Sequence, residues 1–148
     1  MQKKEPPIYV VRPSLPPLAE YEALVREIFD SRYLTNSGAM HKKLESALAE
    51  KLDAPYARLF VNGHLALESV IQAFGFEGGE IITTPFPLIS PTHAMVRCGF
   101  EPVFCDVEPA YYTLDPAKIE EAITPRTRAI LPVHVYGNPC DMEGIARV

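Results

Sequence analysis

A chain of 148 residues is long enough to bury a sizeable core as one domain, and its 47% hydrophobic and 22% charged content is ordinary for a globular protein. A net charge of -5, with no run of more than two adjacent Lys or Arg, argues against a nucleic-acid surface, and no apolar run reaches membrane-spanning length. Cys98, Cys105 and Cys140 lack CxxC spacing and read as reduced thiols of a cytoplasmic protein, while Met1 to Pro7 has no hydrophobic stretch that would make it a secretory signal.

Pro6 to Pro17 forms a Pro-rich arm with a short extended piece, Ile8-Tyr9-Val10-Val11. After Pro16-Pro17, the stripe Leu18, Tyr21, Val25 and Ile28 predicts a helix, with Glu20 and Glu22 near its favourable N-terminal end. Tyr33-Leu34-Thr35-Asn36-Ser37-Gly38 is a polar turn. A second amphipathic helix carries Met40, Leu44, Ala47, Leu48 and Leu52, and its charges, among them Lys43 and Glu45, are expected on a solvated face.

Ala57 to Val61 reads as an apolar strand that runs through Asn62-Gly63 straight into a helix with Leu67, Val70, Ile71 and Phe74 on one face. A strand entering a helix through glycine leaves the first helical amides unpaired, with the positive end of the helix dipole behind them, and so suits a phosphate. The plainer alternative is a tight turn in which Gly63 only relieves strain.

Residues 80–84 form the next strand, stopped by Pro85, and a short helix runs through Ala94, Met95 and Val96. The third strand spans 102–107. Asp115-Pro116 caps a helix containing Ile119 and Ala122, which Thr124-Pro125 ends. The fourth strand is 128–135, and Asp141 caps a last helix that has barely begun at Val148 and is expected to leave its apolar face uncovered. This alternation predicts an α/β fold, a mostly parallel sheet with helices on both faces and ligands at the carboxyl ends of the strands. The expected division is an arm with two helices over 1–54 and an incomplete α/β domain over 55–148, the front part of something longer.

Several stretches, in this order, resemble the nucleotide-sugar aminotransferases, pyridoxal-phosphate (PLP) enzymes of fold type I. They are Tyr33-Leu34-Thr35-Asn36 with Gly38, Asn62-Gly63 with Ala66-Leu67, Ile81-Ile82-Thr83-Thr84-Pro85, and Pro102-Val103-Phe104 with Asp106-Val107. They continue with Leu114-Asp115-Pro116 and Ile119-Glu120, then Ala122-Ile123-Thr124-Pro125-Arg126-Thr127, and end on Ile130 to His134 with Tyr136-Gly137-Asn138-Pro139. The likeness is greatest to the branch that acts on dTDP-4-keto-6-deoxyglucose in polysaccharide and O-antigen sugar biosynthesis.

The resemblance implies PLP as cofactor, glutamate as amino donor, a nucleotide-linked keto-deoxysugar as substrate and a homodimer in the full-length protein. It places the PLP phosphate on the amides of Gly63, His64 and Leu65, the ring under Leu88, and substrate contacts at Thr35, Asn36, His134 and Tyr136. It implies no metal. Relatives carry Thr or Ser where this chain has His64, an aromatic ring where it has Leu88, and Ala-Thr where it has Ser90-Pro91; the His64 ring could supply the hydroxyl's hydrogen bond instead. Transaminases also need a lysine for the Schiff base and an acid against the pyridinium nitrogen. Both are expected after Val148, since Lys3, Lys4, Lys42, Lys43, Lys51 and Lys118 stand on the arm or on helix faces and Asp106 is a turn acid. No catalytic residue is therefore expected within this stretch, and the chain alone is expected to be inactive.

A second reading is a non-catalytic homologue that acts at most as a binding or partner subunit. A dinucleotide-binding oxidoreductase domain shares the βα alternation but requires Gly-x-Gly-x-x-Gly, which Asn62 to Ala66 does not supply. A further expectation concerns pairing: residues 80–84, 102–107 and 128–135 pair among themselves, and Ala57 to Val61 pairs with none of them.

Overall fold

The computed structural model describes residues 8, 9 and 11–148, which fall into two compact units, Met1–Leu59 and Phe60–Val148. No helix among the described residues is long and apolar enough to cross a membrane. Of the extended piece expected at 8–11, Val10 lies outside the described residues, and Ile8, Tyr9 and Val11 have no regular structure.

In the first unit, α1 (Leu18–Ser31) and α2 (Ala39–Lys51) follow the two predicted stripes. Helix α1 ends where Arg32 turns left-handed at φ 53° and its amide donates to the Ile28 and Phe29 carbonyls. Tyr21, Leu24, Val25 and Ile28 face Met40, Leu44 and Ala47 across a shallow apolar groove, yet no residue of either helix is fully buried. The α2 charges are not all merely solvated. Lys43 pairs with Glu27 at 2.5 Å, and Glu45, whose side chain is only 17% exposed, is met by the Leu59 amide (3.2 Å), Arg58 (3.3 Å) and His41 (3.2 Å). Burial by itself would push the Glu45 carboxyl up; the Leu59 amide, Arg58 and His41 outweigh it and hold the group below the ordinary carboxylate value.

The second unit runs α3 (Gly63–Ala73), β1 (Gly79–Thr83), α4 (Ser90–Arg97), β2 (Phe100–Phe104), α5 (Pro116–Ala122), β3 (Thr127–Ile130) and α6 (Met142–Arg147), with a 3-10 turn at Val135–Gly137 before α6. The sheet order is β2-β1-β3, all parallel, with Ile82 opposite Val103 on one side and Ile130 on the other. Alternation along β1 sends its two isoleucines to opposite faces. Ile81 packs with Ile71 of α3, Ala94 and Met95 of α4, and Phe100; Ile82 packs with Leu114, Ile119 of α5, Cys140 and Ile145 of α6. Helices thus cover both faces, as the βα alternation requires.

Four local outcomes differ from the sequence expectation. Ala57 to Val61 is not a strand: it joins none of the three strands of the sheet, and Val61 is 84% exposed. It is accordingly unpaired with the other three strands, as expected. Strand β2 starts at Phe100 and includes Pro102, which is tolerated because β2 is an edge strand and one side of its backbone needs no donor. Strand β3 ends well before 135: the Leu131 amide makes the last ladder bond, to the Ile82 carbonyl (2.8 Å). Helix α6 also buries part of its face, with Ile145 only 7% exposed.

Candidate functional site

The first turn of α3 is where the sequence places an anion. Asn62, in extended conformation, caps the helix: its Oδ1 accepts from the Leu65 amide at 2.9 Å, and its carbonyl accepts from Ala66 at 3.3 Å. The amides of Gly63 and His64 have no partner among the described residues. The expected three-amide set is therefore two, because the Leu65 N–H is already used by the cap. Gly63 does not have a positive φ, so it relieves no strain, and no atom lies within 4 Å of where a Cβ would stand. Its missing side chain leaves open space at that position.

The His64 ring does not turn toward that space as a spare donor. Its Nδ1 lies 2.8 Å from Ser90 Oγ at the start of α4, and its Nε2 lies 2.9 Å from Glu68 Oε1 one turn along α3. Glu68 in turn takes Arg97 Nε at 2.5 Å. Both ring nitrogens are engaged, which corrects the expectation that the imidazole itself meets the phosphate. Glu68 was missed in the sequence, although its i, i+4 spacing from His64 is a readable signal.

Beyond β1 the chain keeps its polar groups satisfied. Thr83 and Thr84 are fully buried; Thr83 Oγ1 donates to the Leu131 carbonyl (2.9 Å) and Thr84 Oγ1 accepts from the Phe86 amide (3.3 Å). The loop then exposes Leu88 by 78%, while the Phe86 ring sits 5.7 Å from Tyr112. Tyr112 adopts φ 59° to place its ring there, an arrangement of the kind that costs about 1–3 kcal/mol and collects at functional loops. Asn138 Nδ2 donates to the Tyr111 carbonyl (3.3 Å), so the loops after β1, β2 and β3 are laced together.

His134 stands past β3, where its Nδ1 accepts from the Cys140 amide at 3.0 Å. Accepting there makes the ring the neutral Nε2–H form, with that N–H directed outward. Tyr136 is 95% exposed at φ 53°. Thr35 and Asn36 lie in the first unit, in the α1–α2 turn, where they help line a cavity of about 390 Å³ and where Tyr33 Oη donates to the Asn36 carbonyl (2.8 Å). Asp106 is a turn acid, its Oδ1 accepting from the Val107 amide (2.9 Å). Among the described residues no three His, Cys, Asp or Glu side chains converge as a metal site.

Glu108, which sequence reasoning passed over, holds the Tyr112 loop in place. Its carboxylate accepts from the amides of Ala110 (2.8 Å), Tyr111 (2.7 Å) and Thr113 (3.4 Å). Burial alone would raise this carboxyl; the three amides outweigh it and hold it below the usual range. A depressed carboxyl stabilises the fold above the unfolded value, about 4.3, and that contribution disappears as pH falls through the folded value. Glu108→Gln should therefore lower the urea midpoint at neutral pH, and the gap to wild type should close on acidification below about pH 4. Equal gaps at both pH values would remove the carboxylate from this role.

Comparison with known proteins gives the chain its relatives. The chain is 48% identical over 144 residues to a dTDP-4-amino-4,6-dideoxy-D-glucose transaminase of Shigella dysenteriae, an alignment that spans 97% of this chain and 39% of the relative. A transaminase of the same name from Escherichia coli is 44% identical over 141 residues, covering 95% of this chain and 38% of its own. Among solved structures, DesI in the presence of its TDP-sugar product superposes with a TM-score of 0.87 at 30% identity, over 95% of this chain and 36% of DesI. NtdA of Bacillus subtilis, with bound cofactor PMP, gives 0.83 at 31% identity, over 88% and 30%. The chain thus spans well under half the length of these relatives. The model of the DegT/DnrJ/EryC1/StrS aminotransferase family matches residues 18–148, and the chain belongs to that family.

Proposed function

We propose that this chain serves a PLP-dependent aminotransferase that transfers an amino group from glutamate to a nucleotide-linked keto-deoxysugar; the names of its relatives, transaminases of a dTDP-linked amino-deoxysugar, support the transamination and the sugar class. The carrying observation is a pair of unpaired helical amides, at Gly63 and His64, beside a glycine whose side-chain position is unobstructed, the kind of helix start that binds a phosphate. When bound, PLP supplies an aldehyde for amine exchange and a ring that accepts electron density. The chain's own residues bind and orient. The Gly63 and His64 amides hold the phosphate, with the dipole of an 11-residue helix behind them. Leu88 covers the ring face by dispersion, without the stacking geometry of an aromatic side chain. Thr35, Asn36, Tyr136 and the outward Nε2–H of His134 serve the sugar nucleotide.

In this reading, 1–54 is the arm and two-helix part and 55–148 the first part of the cofactor-binding domain. The protein works in the cytoplasm as a homodimer, in the synthesis of a surface-polysaccharide sugar. Of the described lysines, Lys43 pairs with Glu27 and Lys118 with Glu121, each on a helix face. We infer that this chain alone holds PLP through its phosphate, without turnover; the non-catalytic reading shares this expectation.

Gly63→Val tests the site. A branched side chain there fills the space over the amides, and calorimetric affinity for inorganic phosphate and for PLP should fall at least tenfold, by about 1.4 kcal/mol or more. Tight PLP binding that ignores the substitution would overturn this placement.

A further inference from the structure

The loops after β1 and β2 meet through two aromatic rings at the carboxyl ends of the strands. Residues 107–114 close on themselves: Val107 bridges Leu114, the Glu108 amide donates to the Thr113 carbonyl (3.0 Å), and the Tyr112 amide to the Glu108 carbonyl (3.1 Å). Thr113 and Leu114 are buried at the base, and the Glu108 carboxylate gathers the Ala110, Tyr111 and Thr113 amides. The loop is therefore well tied, and it holds Tyr112 at φ 59°. Glycine or asparagine enters that left-handed region more easily than a bulky aromatic residue does. Such a conformation persists only where its surroundings enforce it, as this loop does. The ring it presents meets Phe86, centroid to centroid at 5.7 Å and tilted by 34°.

Phe86 is thus held twice, by the Tyr112 ring and through its own amide, which donates to the hydroxyl of buried Thr84 (3.3 Å). Only Pro87 separates it from Leu88, and a proline fixes its own φ and restricts the residue before it. The direction set at Phe86 therefore carries over to Leu88, which keeps a large apolar side chain 78% exposed. We propose that Tyr112 is a positioning residue for the cofactor, acting through Phe86 to keep Leu88 over the PLP ring. This deepens the reading above and rests on Leu88 as the cover of that ring. Dispersion weakens quickly as a gap opens, so a leucine that covers a ring face must be held close. A loop ordered in advance also loses less freedom when the cofactor binds.

Pyridoxamine phosphate (PMP) is the probe, because it carries the ring and phosphate of PLP without the aldehyde that reacts with exposed lysines. Inorganic phosphate is the reference, and the ratio of the two affinities isolates what the ring contributes. Calorimetry on the 148-residue chain should give wild type a margin of about tenfold or more in favour of PMP. Tyr112→Gly suits φ 59° but removes the ring. It should cut the margin about fivefold and leave phosphate binding within about twofold of wild type. Its urea midpoint should stay near that of wild type, since relieved strain offsets the lost ring contact. Tyr112→Phe keeps the ring and should keep the margin. Phe86→Leu should lose as much as Tyr112→Gly, and the double variant no more than either, because both remove one contact. Phe86→Leu leaves the 107–114 loop untouched and decides the matter should Tyr112→Gly unfold. A margin that survives both substitutions overturns the brace and leaves the PLP reading standing. Wild type that binds PMP no better than phosphate, or binds neither, overturns the ring placement and the brace with it.

Discussion

Ile82→Ala should lower the melting temperature of the chain by roughly 15–25 °C, the shift that about 3–4 kcal/mol produces in a unit of this size. Ile82 is fully buried at the centre of β1, between Val103 and Ile130, against Leu114, Ile119, Cys140 and Ile145. Removing its branched end takes away transfer energy and leaves a cavity that three separate elements would have to close together. They cannot do so easily, because the Ile82 carbonyl is also tied to the Leu131 amide at 2.8 Å. Val61→Ala is the control. The sequence pattern makes Val61 a strand residue, yet it is 84% exposed, and its loss should cost within about 0.5 kcal/mol. Thermal denaturation followed by circular dichroism separates the two. Similar losses would mean that residues 57–61 are packed in solution.

These two residues show what the sequence could and could not reveal. Periodicity distinguishes an apolar strand from an apolar helix, but it does not say whether a strand has a neighbour. LFV at 59–61 and EII at 80–82 look alike as text; only the second lies between two ladders. Helix starts were more legible because a cap is a local event. Asn62, Asp115 and Asp141 each accept from an amide two or three residues on, as their positions before helical stripes imply. Strand ends were less so. The start of β2 follows Gly99 at φ 83°, and the edge position of β2 made Pro102 acceptable inside a strand.

The site was legible as a location and not as a set of contacts. That the chain stands open at Gly63 follows from a glycine at a helix start, and the structure leaves its side-chain position clear. Which amides are free does not follow, because Asn62 could equally have turned outward instead of engaging Leu65. The partners of His64 were half hidden: Glu68 is one turn away in sequence, whereas Ser90 comes from another helix 26 residues on. Glu108 escaped because a carboxylate that collects backbone amides leaves no spacing rule to find it by.

Glycine makes the same point, and the second large effect lies there. Gly79→Ala should destabilise the chain by about 2–4 kcal/mol, whereas Gly63→Ala should change stability by no more than about 0.5 kcal/mol. Gly79 opens β1 at φ +115°, where an L side chain is strained, and a Cβ there would stand 2.7 Å from both the Arg126 carbonyl oxygen and Arg128 Cγ. The side chain of Arg128 can swing away. The Arg126 carbonyl cannot, because it accepts from the Glu80 amide at 2.9 Å, while its own guanidinium meets Glu80 at 3.4 Å and Glu101 at 2.7 Å. Glu80 is only 7% exposed and also receives Thr124 Oγ1 at 2.5 Å, so shifting Arg126 disturbs the partners of a buried carboxylate. Gly63, by contrast, has neither positive φ nor a neighbour within 4 Å, and alanine is welcome at a helix start. Urea titration of both variants beside wild type gives the comparison. If Gly79→Ala unfolds at the wild-type midpoint, β1 begins with a different backbone in solution, and the Glu80–Arg126 contacts that depend on it must be redrawn.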